Sequence, residues 1–206
     1  MASAATPYGM RPIGGSGLSP FGANSVRQYR LTADNDVAIY TYGIVVIVAG
    51  AINGADTAPA AGTLSANSPL GICLGVQYTD PTLKYTLNSQ YLPANAITAG
   101  YTNILVSVYD DPNALFMIQA NGVVTQAEIG LNMNIATFTG STTTGFSTMA
   151  GDATCATTNT YPLRVVDLVN QNSIFGGGLS APGDAYTDCI VRWNLNTHVW
   201  SFTTGQ

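Results

Sequence analysis

The stretch Leu83-Lys84-Tyr85-Thr86-Leu87-Asn88-Ser89-Gln90-Tyr91-Leu92 sets Leu83, Tyr85, Leu87 and Tyr91 against Lys84, Thr86, Asn88 and Gln90. Side chains that alternate in this way line the two faces of a β-strand, one buried and one wet. Further strand candidates are Val26 to Leu31, Ala38 to Val48, Leu70 to Tyr78 and Asn103 to Tyr109. Others are Leu115 to Gln119, Met133 to Phe138, Leu163 to Asn170 and Thr187 to Leu195. In the last of these, Cys189, Val191, Trp193 and Leu195 share the apolar face, against Asp188, Ile190, Arg192 and Asn194.

Turn formers separate these runs: Asp80-Pro81, Asp111-Pro112-Asn113, Asn121-Gly122 and Gly176-Gly177-Gly178. Proline presets φ and glycine accepts positive φ, so each is a natural reversal point. Nine or so short strands at this spacing predict an all-β fold, a single-domain β-barrel or jelly-roll-like sandwich over residues 25–206. The longest apolar run, Gly43 to Ile52, is half the length of a membrane-spanning helix and rich in Val and Ile, so it reads as a buried strand. One helical turn is expected at Thr125-Gln126-Ala127-Glu128, where hydroxyl and carboxylate form a capping box. That assignment makes Glu128 a cap and not a catalytic acid.

Residues 1–24, MASAATPYGMRPIGGSGLSPFGAN, scatter three prolines among five glycines. The segment reads as an extended N-terminal arm without core periodicity, whose large side chains Tyr8, Met10 and Phe21, together with Arg11, are candidate anchors on a neighbouring subunit. No charged region followed by an apolar one marks an export signal.

The chain has 206 residues, of which 8% are charged, with 25 Thr and 16 Asn, six Lys and Arg, eleven Asp and Glu, and a net charge of −5. An average domain carries about 25% charged residues, so the surface here must consist largely of Thr, Asn, Ser and Gly. Such a surface repels its own copies weakly, which predicts assembly with a partner and self-association into dimers or trimers. The cations are dispersed, and nucleic-acid binding is not expected.

No catalytic, cofactor or metal site is expected. The single imidazole, His198, follows the last strand without a nucleophile elbow to serve. Glu128 and the ten aspartates show no spacing that singles out a glycosidase pair. Asp34-Asn35-Asp36 and Asp110-Asp111 bring hard oxygen ligands together but do not continue into a calcium loop, and they read as turns. Cys73, Cys155 and Cys189 form no C-x-x-C pair; Cys189 reads as a small buried hydrophobe, and three free thiols fit synthesis in a reducing cytoplasm. Tyr85, Tyr91 and Trp193 read as core, which leaves Trp200 and Phe202 as candidate stacking platforms for a sugar.

Residues 108–122 (VYDDPNALFMIQANG), 127–149 (AEIGLNMNIATFTGSTTTGFSTM), 161–172 (YPLRVVDLVNQN) and 188–200 (DCIVRWNLNTHVW) resemble a family of small virion proteins of tailed bacteriophages, encoded beside the major capsid protein. Residues 7–13 (PYGMRPI) and 68–78 (SPLGICLGVQY) extend the resemblance to nearly the whole chain. The resemblance implies a cement or decoration protein on the outside of the phage head, with the major capsid protein as partner and no catalysis. The alternative expectation is a virion receptor-binding or glycan-binding module.

Overall fold

The computed structural model describes residues 4–15, 26–48, 50–62, 68–169 and 183–202. In chain order the first strands are β1 (Arg11–Gly15), β2 (Val26–Arg30), β3 (Ile39–Tyr40), β4 (Ile44–Val48), β5 (Ala51–Gly54) and β6 (Pro69–Thr79). There follow β7 (Thr86–Ser89), β8 (Tyr91–Leu92), β9 (Thr102–Tyr109), β10 (Ala114–Gln119) and β11 (Asn132–Met133). The last are β12 (Ile135–Thr137), β13 (Ala150–Gly151), β14 (Leu163–Leu168) and β15 (Asp188–Trp193). Among the described residues the helical elements are two short 3-10 turns, Gln126–Glu128 and Val199–Ser201.

Two antiparallel sheets dominate: a five-stranded one in the order β1-β10-β15-β14-β11, and a six-stranded one in the order β2-β9-β6-β4-β5 with β7 paired to β6. Among the described residues neither sheet closes on itself, so of the two expected architectures the chain adopts the sandwich. The main core fills the space between them, with Phe116, Ile118, Leu163, Val165, Cys189, Val191 and Trp193 from one side meeting Ile44, Val46, Ile72 and Tyr109 from the other. Phe116 anchors it, edge-on to Tyr109 at 6.2 Å and to Trp193 at 5.5 Å between centroids.

A second core lies on the opposite face of the six-stranded sheet, where Val45, Leu70, Cys73, Val76, Val106 and Val108 pack under Leu31, Ile39, Leu92, Ala96 and Val199. Where β4, the start of β6 and the end of β9 run together, around Ile44, Ile72 and Tyr109, the six-stranded sheet is therefore a middle layer, apolar on both sides. This explains why Ile44–Val48 reads as an unbroken apolar run and not as an alternation. The run Gly43 to Ile52 is a hairpin and not one strand: Val48 pairs with Ala51, and Gly50 takes φ +80°.

Three further expectations are corrected. The strand expected from Leu83 begins at Thr86, because the Asp80 carboxylate accepts the amides of Thr82 and Leu83 and closes a turn in which Lys84 takes φ +60°. Leu83 and Tyr85 are consequently exposed, whereas Tyr91 is half-buried and stacks on Tyr40 at 5.1 Å. Leu195, expected on the inner face of the last strand, is 79% exposed because β15 ends at Trp193. Finally, residues 9–15 of the expected arm belong to the fold, while the boundary expected after Asn24 lies outside the described residues. Arg11–Gly15 pairs with β10, the Gly9 amide donates to the Met149 carbonyl and the Met10 amide to the Tyr42 carbonyl, and Met10 is fully buried in the main core. An edge strand tolerates Pro12, which is why a proline-bearing segment can still be structural.

Candidate functional site

Of the residues singled out for catalytic or ligating chemistry, His198, Glu128, Asp34, Asn35 and Asp110 are held by hydrogen bonds within the fold. His198 is fully buried; its Nδ1 accepts the Trp200 amide at 3.3 Å and caps the Val199–Ser201 turn. Its Nε2 makes no hydrogen bond of acceptable geometry, although the Leu70 main chain weakly favours the charged form. Burial pushes the imidazole down to about 4. The unfolded chain, titrating near 6.5, therefore takes up the proton first as pH falls, and the stability that neutral His198 supplies is complete above 6.5 and lost on the way to 4. We expect unfolding free energy to drop by about 3 kcal/mol across that window, with the loss much reduced in His198→Asn, whose amide oxygen can still cap. Urea titrations at pH 7 and pH 4 measure this.

Glu128 closes the expected capping box, its carboxylate accepting the Thr125 amide at 2.6 Å. Asp34 accepts from the Ile97 and Thr98 amides and the Thr98 hydroxyl, and Asn35 is buried with its amide donating to the Val37 and Pro93 carbonyls. Asp110 accepts the Tyr29 hydroxyl at 2.6 Å and pairs with Arg27 Nε at 3.3 Å. Among the described residues no three His, Cys, Asp or Glu side chains are grouped to hold a metal ion. Burial raises all three thiols, Cys73 to about 12 and Cys155 to about 11, so none is a ready nucleophile at neutral pH.

The residues expected to anchor a partner do not act as one group. Met10 is core, Phe21 lies outside the described residues, and Tyr8 and Arg11 come together on the outer face of the five-stranded sheet. The Tyr8 hydroxyl donates to Asp188 Oδ1 at 2.8 Å, and burial raises the phenol well above its ordinary value. The exposed Arg11 guanidinium lies 4.5 Å from the Tyr8 ring centroid and 5.4 Å from that of Tyr42, which itself stacks on Phe146 at 5.6 Å. Strand register places Met117, Leu115, Arg192 and Arg164 on this same outer face, with Val166 exposed at a bulge in β14. Arginine, tyrosine and methionine are the residue types enriched in protein interfaces. Tyr42 and Phe146 were not foreseeable from the sequence, because only the fold brings Tyr42 to Arg11 and Phe146 to Tyr42. Arg192 and Arg164 could have been placed by strand parity, opposite the inward Val191 and Val165.

A second concavity of about 370 Å³ lies on the six-stranded sheet, lined by Gln28, Gln77, Asn88, Gln90, Ser89 and Ser107 above Leu74, Gly75 and Val76. No ionisable side chain lines it. The Ser89 hydroxyl is engaged by the Tyr91 main chain, while the four amide side chains and Ser107 have no internal partner among the described residues. Of the aromatic residues proposed for stacking, Trp200 is 50% exposed and Phe202 half-buried, and neither lines this cleft. Among the described residues no helix is long and apolar enough to cross a membrane. Compared with protein-family models, curated proteins and solved structures, the chain finds no match.

Proposed function

We propose that this chain is a structural virion protein that binds the outside of a phage head and cements neighbouring major capsid protein subunits. The observation that carries the reading is the outer face of the five-stranded sheet, where Tyr8 and Arg11 stand with Arg164, Arg192, Leu115, Met117 and Val166 on a surface suited to contact and not to turnover. The resemblance of six segments to capsid cement proteins and a composition poor in charge support the same conclusion. In this reading the protein is made in the host cytoplasm, associates as a dimer or trimer, and acts by mass action. A ligand that binds only the assembled lattice lowers the lattice's free energy, and contacts across adjoining subunits must break together. Particles carrying the protein at full occupancy are expected to release DNA at a higher temperature than particles without it. Equal release temperatures would remove the proposal.

The uncharged cleft favours one second reading, a module that binds neutral glycans. Free amides present a donor and an acceptor side by side, as sugar hydroxyls require, and the volume lies within the ~300–1,000 Å³ of ligand pockets. Binding of neutral oligosaccharides on an array, weakened in Gln77→Ala and Asn88→Ala, is the outcome this reading expects.

A further inference from the structure

Arg164 on β14 and Arg192 on β15 face each other in register, both exposed. Their neighbours Val165 and Val191 point into the main core, so the two guanidinium stems rise together from the outer face. Directly opposed residues on an antiparallel pair have Cβ atoms about 4.5–5.5 Å apart, and like charges there destabilise the sheet.

The usual relief is an interleaved carboxylate. All eleven acidic side chains lie among the described residues, and the one ion pair there is Arg27–Asp110, on the other sheet. The nearest acids, Asp167 and Asp188, stand on the same face but form no ion pair with these arginines: Asp167 Oδ1 accepts the Leu168 amide, and Asp188 accepts the Tyr8 hydroxyl. Arg164 Nε donates to Asn132 Oδ1 at 3.0 Å, which steadies that guanidinium without neutralising it. With Arg11, half of the six cations of a chain with net charge −5 stand on this one face.

We propose that the Arg164–Arg192 pair is the docking site for a carboxylate-rich segment of a partner protein, which on the reading above is the major capsid protein. Paired guanidinium groups match the planar, two-oxygen geometry of carboxylates. A nucleic acid fits less well, because its affinity rests on many cations and the remainder of this chain repels phosphate. Exposed Val166 and half-buried Leu115 and Met117 beside the pair offer apolar contact that a peptide can use.

The test has two arms, each comparing the wild type with Arg164→Gln/Arg192→Gln, and with Arg192→Gln alone should the double variant misfold. Citrate, a small tricarboxylate, is expected to raise the thermal midpoint of the wild type over chloride of equal ionic strength, and to raise that of the variant less. In chloride Arg192→Gln alone should be at least as stable as the wild type, since a repulsion has been removed while the Arg164–Asn132 hydrogen bond is kept. In the second arm, binding to expanded capsid shells is expected to weaken about tenfold in the variant, with a shallower dependence on salt. A citrate shift common to both proteins overturns the site. Equal shell binding by both overturns its docking role and leaves the cement reading standing. A citrate shift confined to the wild type, with shells bound by neither protein, supports the carboxylate site and overturns the capsid protein as its occupant.

Discussion

A chain that starts at residue 16 is expected not to fold cooperatively. Removing residues 1–15 strips β1 from the edge of the five-stranded sheet, takes the Met10 side chain out of the main core, and deprives buried Asp188 of the Tyr8 hydroxyl. It also takes from Gln119 its two contacts with the segment, the Thr6 amide at 2.9 Å and the Ala4 carbonyl at 3.3 Å. Truncating a buried methionine to alanine alone costs about 2–5 kcal/mol, and loss of an edge strand with its buried polar partners adds to that. The sum is comparable with the ~5–15 kcal/mol by which whole domains are stable. Met10→Ala serves as the graded version: it should lower the thermal midpoint by roughly 10 °C while preserving a single transition. Near-UV circular dichroism and urea unfolding decide the matter. A truncated protein with native near-UV signal and an unchanged urea midpoint would show that the segment is peripheral, as its glycine-rich composition suggested.

Gly71→Ala is expected to have the largest effect of any single alanine substitution at a glycine. A Cβ there would sit 2.2 Å from the Tyr109 carbonyl oxygen and 2.8 Å from Val108 Cγ1. The obstacle is main chain in the neighbouring strand β9, which pairs with β6 along most of its length, so relief requires parting two central strands of the middle layer. We expect a loss of about 4 kcal/mol, beyond the usual range for overpacking because no side chain can swing away. Gly62→Ala provides the contrast: its Cβ would meet nothing within 4 Å, and only the positive φ of +85° is strained, which predicts about 1 kcal/mol. Comparable thermal midpoints for the two variants would contradict the close approach of β6 and β9.

The strand positions were legible because most strands have one wet face, and alternation there is a direct print of the pleat. Val26–Arg30, Thr102–Tyr109 and Leu163–Leu168 fall where period two placed them. The Thr125–Glu128 turn was readable because a capping box is local chemistry. What escaped the sequence was set by contacts distant along the chain. Tyr85 has strand parity but is thrown outward by a turn five residues earlier. Arg11–Gly15 has no pattern of its own and becomes a strand because β10 offers it an edge. The candidate site followed the same division: Tyr8 and Arg11 were identifiable as large side chains in a small-residue segment, whereas Tyr42 reaches Arg11, and Phe146 reaches Tyr42, only through the fold.

The middle-layer position of the six-stranded sheet also orders the molecule's internal motions. Amides of β6 and β9 around Ile72 and Tyr109 lie in strands paired on both sides and covered above and below, so they should be the last to exchange with deuterated solvent. The five-stranded sheet is backed by a core on one face only, and its edge strand β1 is five residues long. Its amides should exchange through smaller openings that leave the centre intact. The surface that carries the arginines is thus expected to be the more compliant of the two sheets, mounted on a stiffer interior. Under the proposed cement function, a contact made there would adjust to subunits whose spacing varies around a curved shell without loosening the fold beneath it.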